Sequence, residues 1–184
     1  MTQGKRAAFL DRDGVINADH GYVHRADQFE LLPGVADALR RLSHAGVLLI
    51  VITNQSGIAR GLFTESQYDA LTRHMCSRLA DEGVQLHAVY HCPHLPDAAV
   101  PLYRQQCNCR KPGPGMILRA IAEHGIDPSR SLLVGDKPSD IQAGRAAGVA
   151  WCGLVHPAYA AAAGADLAAP DLARCVDAWL SNLR

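Results

Sequence analysis

The chain carries no excess charge of either sign, since lysine plus arginine and aspartate plus glutamate both number 18. A zero net charge offers no general field to hold a phosphate backbone, which argues against a nucleic-acid partner. Long apolar runs are missing as well. The N-terminus reads Met-Thr-Gln-Gly-Lys-Arg and then only residues 7–10 are apolar before Asp11, far short of the roughly 7 to 15 apolar residues of a secretory signal. Nothing approaches the ~18 to 20 apolar residues of a membrane helix. A cytoplasmic protein with no membrane partner is the expectation. Lysine is scarce, with Lys5, Lys111 and Lys137 alone, and two of these three fall in the motifs developed below. What is present, 48% hydrophobic and 20% charged residues in a chain of 184, is globular composition of a size that one hydrophobic core serves. One domain over 1–184, monomeric and without internal repeats, is expected.

Short apolar runs alternate with longer amphipathic stretches, the pattern of a β-α-β-α chain. The fold class expected is α/β, a Rossmann-like three-layer sandwich around a mostly parallel sheet. The runs predict strands at 7–10, 47–52, 84–90, 131–134 and 149–151. Between them, Val35, Leu39 and Leu42 mark a helix that opens at Pro33-Gly34 and closes at Gly46. Further helices are expected over 64–82, 114–124 and 138–147, each stopped by a glycine, and over about 170–182. The alanine-rich piece 158–169 reads as a loose helix or surface loop. Between the third strand and its helix lies 92–112, with Pro93, Pro96, Pro101 and Pro112. A loop that long and proline-rich is functional or held by something other than a core.

Chemistry-bearing residues gather at the expected strand ends. The first strand runs into Asp11-Arg-Asp13-Gly14, two carboxylates leaning to one side of the backbone, followed by a glycine that permits a sharp turn. A nucleophile beside an acid fits this pair, and so does an Asp-rich turn that caps a helix. In open α/β sheets the ligand crevice lies outside the carboxyl ends of the strands. The second strand ends in Thr53-Asn54-Gln55-Ser56-Gly57, suited to phosphate oxygens. The fourth ends in Gly135-Asp136-Lys137, with Asp140 in the next helical turn, where a carboxylate is favourable beside a helix N-terminus whether or not it is catalytic. Arg110 and Lys111 precede another helix and would meet anionic oxygens.

Cys92-x-His94 and Cys107-x-Cys109 supply three sulfurs and one imidazole, a Zn²⁺ set. With all four positions filled, such a site over 92–109 is structural: it would hold the loop and aim Arg110. His91 is an alternative ligand by position. Cys76, Cys152 and Cys175 have no such partners in sequence and read as small core residues.

Together, Asp11-Arg-Asp13-Gly14, Thr53, Lys111 and Gly135-Asp136 with Asp140 resemble, in order, the four motifs of the haloacid-dehalogenase-like phosphatase superfamily. Within it the Asp11 to Asn17 segment, the Thr53 to Gly57 loop and the Cys/His loop are similar to the heptose-bisphosphate phosphatases, and nearly as much to the histidinol-phosphate phosphatases. The resemblance implies a phosphoric monoester hydrolase acting on a phosphorylated sugar, the C7 phosphate of heptose 1,7-bisphosphate, in nucleotide-activated heptose and lipopolysaccharide core synthesis. Histidinol phosphate is the alternative substrate, and a non-catalytic zinc-stabilised binding module is the alternative from another class. Asp11 would be the nucleophile and Asp13 the general acid and base. Mg²⁺ would be held by Asp11, the Asp13 backbone carbonyl and Asp136. Thr53, Arg110 and Lys111 would stabilise the transferring group. Asp19, His20, Gly21, Tyr22, Asn54, Gln55, Ser56 and Lys137 would contact substrate. No long insertion follows either of the first two motifs, so no separate cap domain is expected.

Overall fold

The computed structural model describes residues 4–155 and 164–183. Six strands form one parallel sheet: β1 (Ala7–Leu10), β2 (Leu48–Asn54), β3 (Ala88–Cys92), β4 (Leu132–Gly135), β5 (Trp151–Leu154) and β6 (Leu167–Ala168), in the order β3-β2-β1-β4-β5-β6. Among the described residues six α-helices accompany them: α1 (Val35–His44), α2 (Ser56–Ala59), α3 (Glu65–Asp81), α4 (Gly115–His124), α5 (Pro138–Ala146) and α6 (Leu172–Ser181). Among the described residues, none of them is long and apolar enough to cross a membrane.

Alternation along β1 builds two cores from one strand. Ala8 and Leu10 point to the face covered by Leu39, Met75 and Trp179 of α1, α3 and α6, whereas Ala7 and Phe9 point to the face covered by Ile117 and Ile141 of α4 and α5. A strand covered on both faces can be apolar throughout, as all four residues of β1 are. The strand order reverses direction around β1, because β1 pairs with β2 on one edge and β4 on the other. Such a switch point opens a crevice at the carboxyl ends of the central strands, and Asp11, Thr53 and Asp136 all lie there. Among the described residues no cap domain covers it.

Three strand starts differ from the sequence expectation for one reason. Val47, Val84 and Val149 each follow a glycine in the left-handed region, at φ +72, +74 and +81. Their N–H groups bond back to Leu42, Leu79 and Gly144 at 3.1, 2.9 and 2.9 Å, the six-to-one bond of a Schellman stop. The valine is the apolar contact that ends a helix, so pairing starts later, at Leu48, Ala88 and Trp151. The first part of the alanine-rich piece lies outside the described residues, while its end forms β6. The loop after β3 is not coreless: Leu95 and Ala98 are buried together with Ala59, and Tyr103 packs on them. Cys152 and Cys175 are fully buried, but Cys76 is only partly so.

Candidate active site and metal centre

Asp11 leaves the end of β1 with its N–H on the Val134 carbonyl at 3.0 Å, which fixes the turn between the two central strands. Its Oδ1 accepts from the Arg12 N–H at 2.8 Å and from Lys111 Nζ at 2.9 Å. Lys111 is 4% exposed and spends its remaining donors on Asp140 at 2.6 Å and the Ile52 carbonyl at 2.9 Å. An ammonium has three protons, so all are placed. Burial works against the Lys111 charge, but Asp11 and then Asp140 outweigh it and raise the affinity of Lys111 for its proton. Burial pushes the Asp11 carboxyl up to about 7, Asp140 and Asp136 adding to the rise and Lys111 opposing it.

Single carboxylate oxygens of Asp11, Asp136 and Asp140 lie within 4.8 Å of one another. Asp136 is raised from its ordinary value, by burial above all, and its Oδ1 is buried with no hydrogen-bond partner. A divalent cation bound by oxygen removes both tensions, since a positive charge favours the ionised form and fills the orphaned lone pair. The donor set therefore fits Mg²⁺, with Asp11 and Asp136 as its carboxylates. Asp140, by contrast, is committed elsewhere: Oδ1 to Lys111, Oδ2 to the Lys137 N–H at 2.9 Å. Two glycines make this crowding feasible. A Cβ on Gly14, at φ +86, would come within 2.7 Å of Asp136 Oδ2, and one on Gly135 would overlap Asp140.

The crevice encloses about 550 Å³ and is lined from four loops. Asp11, Asp13, Asp19, Gly21 and Tyr22 come from the loop after β1, Thr53 to Gly57 from the end of β2 and the turn after it, Arg110 to Pro112 from the loop after β3, and Lys137 from the end of β4. Two expected substrate contacts have other partners in the structure. His20 does not line the crevice, because its ring is turned to Glu30 at 3.3 Å. Asn54 lines it but uses both ends of its amide on the Lys111 backbone, accepting from the N–H at 3.0 Å and donating to the carbonyl at 3.1 Å. It anchors the Arg110-Lys111 segment to the tip of β2. Lys137 reaches Asp136 at 3.3 Å and Asp19 at 3.7 Å, joining the loop after β1 to the end of β4. Sequence reasoning passed over Arg12, which pairs with Asp13 at 2.8 Å; the only local signal was its position between two aspartates.

At the end of β3, Cys92, His94, Cys107 and Cys109 converge. Cys109 Sγ lies 3.1 Å from Cys107 Sγ, 3.2 Å from Cys92 Sγ and 3.4 Å from His94 Nδ1. The cysteines are unbridged, and three sulfurs with one imidazole at such spacing fit a closed tetrahedral Zn²⁺ site. His91 is not among the converging ligands: its ring lies tilted against Tyr68 with centroids 4.1 Å apart, and Nε2 lies 3.8 Å from Glu65. Arg110 Nη1 donates to the His94 carbonyl at 3.4 Å, which ties the loop to the crevice wall.

Residues 108–174 match the HAD-hydrolase-like family. The D-glycero-beta-D-manno-heptose-1,7-bisphosphate 7-phosphatase of Yersinia pestis is 52% identical over 156 residues, covering 85% of this chain and 83% of that one. That of Escherichia coli (strain K12) is 53% identical over 156 residues, 85% and 82%. The chain belongs to this phosphatase family. Among solved structures, the D,D-heptose 1.7-bisphosphate phosphatase of B. bronchiseptica, complexed with magnesium and phosphate, has a TM-score of 0.85 at 34% identity and covers 96% of this chain and 99% of that one. Magnesium in that family member agrees with the oxygen cluster found here around Asp11 and Asp136.

Proposed function

We propose that this chain is a Mg²⁺-dependent phosphatase that removes the C7 phosphate of D-glycero-β-D-manno-heptose 1,7-bisphosphate, in the synthesis of activated heptose for the lipopolysaccharide core. One observation carries the reading. In a chain half identical to heptose 1,7-bisphosphate 7-phosphatases, the crevice lined by Asp11 and Lys111 also has Arg110 and Lys137 on its wall, cations for a second phosphate. We take it to act as a single-domain monomer.

Asp11 would attack phosphorus, forming an aspartyl-phosphate and breaking the bond to the C7 oxygen. Asp13 would give that oxygen its proton and then take one from the water that attacks the intermediate. Lys111 and Thr53 would hold the equatorial oxygens, where the charge of the transferring group lies. Held by Asp11, Asp136 and the Asp13 carbonyl, Mg²⁺ would supply positive charge that lets an anionic nucleophile approach a dianionic substrate. The Cys/His site would keep Arg110 in place.

Phosphorus NMR of the product tests the reading. The C7 resonance should be replaced by inorganic phosphate while the C1 phosphate remains. A charge-assisted contact to that distal phosphate is worth about 1.5 to 3 kcal/mol, so the bisphosphate should exceed heptose 7-phosphate in kcat/KM by roughly ten- to a hundredfold. Release from C1, or faster hydrolysis of histidinol phosphate, would overturn it.

A further inference from the structure

Arg12 heads the fully buried side chains of the described residues by volume. Taking a guanidinium out of water is expensive unless its donors are used well. Here Nε lies 3.1 and 3.2 Å from the two oxygens of Asp13, and Nη2 lies 2.8 Å from Oδ2. The same Nη2 donates to the Val23 carbonyl at 2.8 Å, and the Tyr68 ring lies 6.0 Å from the guanidinium carbon. Asp13 is in turn held by Asn17 Nδ2 and Gln55 Nε2, each at 3.0 Å. Val23 follows Tyr22, a non-glycine residue at φ +52 on the crevice wall.

We propose that Arg12 is a positioning residue that sets the carboxyl group of Asp13 for proton transfer and ties it to the loop bearing Asp19 and Tyr22. The inference rests on the phosphatase reading above. In that reaction one carboxyl group serves twice. It gives a proton to the leaving oxygen as the Asp11–phosphorus bond forms, then takes a proton from water as that bond breaks. Both transfers need the same atom in the same place, whereas a free aspartate samples several rotamers. A planar fork gripping both oxygens leaves one orientation, and the proton to be transferred takes the place on Oδ2 that the Gln55 amide, also bonded to Thr53, gives up. Lysine, a point charge on a flexible stem, cannot grip Asp13 bidentately and reach Val23 together.

Arg12→Lys, Arg12→Met, Asp13→Asn and the double variant Arg12→Lys/Asp13→Asn test this in the intact protein. Arg12→Lys should lower kcat on heptose 1,7-bisphosphate about ten- to a hundredfold. KM should stay near the wild-type value, because the phosphate-holding groups are untouched. Single-turnover release of p-nitrophenolate from p-nitrophenyl phosphate should fall far less, since that leaving group departs without a proton. In the Asp13→Asn background, Arg12→Lys should cost nothing further, the mark of a residue acting through another. The ratio of the two substrates is read on one preparation, so partial unfolding cancels from it. Equal losses on both substrates, an equal loss in the Asp13→Asn background, or an unchanged kcat would overturn the proposal. A wild-type protein that leaves heptose bisphosphate intact would instead overturn the phosphatase reading. Should Arg12→Met fail to fold, Arg12→Lys, which keeps the charge, decides.

Discussion

The Lys111 ammonium lies nearer to Asp140, at 2.6 Å, than to Asp11, at 2.9 Å. The carboxylate that grips the lysine most closely is thus not the expected nucleophile. Asp140 holds Lys111 on one side while Oδ1 of Asp11 takes another of its protons; in the proposed reaction Asp140 would share that charge so that Asp11 can turn to phosphate and metal. Truncation in Asp140→Ala removes the nearer of the two carboxylates that pair with the buried Lys111 and frees the Lys137 N–H. Breaking such a buried pair typically destabilises by about 3 to 5 kcal/mol. Urea unfolding should show a lower midpoint at unchanged slope, and a wild-type midpoint would refute the pairing.

Asp11→Asn should abolish turnover while leaving the fold intact. The amide has no anionic oxygen for attack, and its place at a strand tip contributes little packing. Burial already disfavours the Asp11 charge, so the thermal midpoint should not fall. Removing a nucleophile costs several powers of ten, so residual activity above about a hundredth of wild type would end the covalent mechanism.

Purified protein should carry about one Zn²⁺ per chain, as a four-ligand structural site implies. Cys107→Ser or Cys109→Ser should lose the metal and lower activity by releasing Arg110 from the His94 carbonyl. Elemental analysis alongside turnover checks both halves. A zinc-free protein with full activity would exclude the site.

Low pH should weaken the edge of the sheet at His87. Its Nδ1 accepts the Leu49 N–H at 3.0 Å, which only the unprotonated nitrogen can do. Burial, with His124 and Lys5 nearby, lowers its proton affinity below the ordinary histidine value. Between the ordinary value of about 6.5 and the lower folded one, the unfolded chain binds the extra proton, so stability declines as pH falls through this window. Thermal midpoints at pH 7.5 and pH 5 should therefore differ less in His87→Gln than in wild type. An identical difference in both proteins would refute the contribution.

Much of the site was legible because its groups sit at strand ends, where local pattern gives the place and residue type gives the chemistry. Asp11, Thr53 and Asp136 follow apolar runs, and those runs could be read as central strands without knowing their neighbours. The Cys/His quartet was legible from donor type alone, since few arrangements other than a soft metal use three sulfurs and an imidazole. Val47, Val84 and Val149 misled for a local reason: an apolar residue after a glycine serves a helix stop as well as a strand start.

By itself, then, the sequence determined the alternating α/β pattern, the crevice chemistry and the metal-ligand types, all properties of short stretches of chain. Tertiary structure decided which polar group each side chain meets. Lys111 finds Asp140 across the crevice, Asn54 turns to the Lys111 backbone, His20 to Glu30, and Arg12 to Asp13 and Val23. Periodicity and spacing carry no record of these pairings. Each is selected when packing removes water, because a buried donor or charge must take whatever partner the neighbouring element brings within reach.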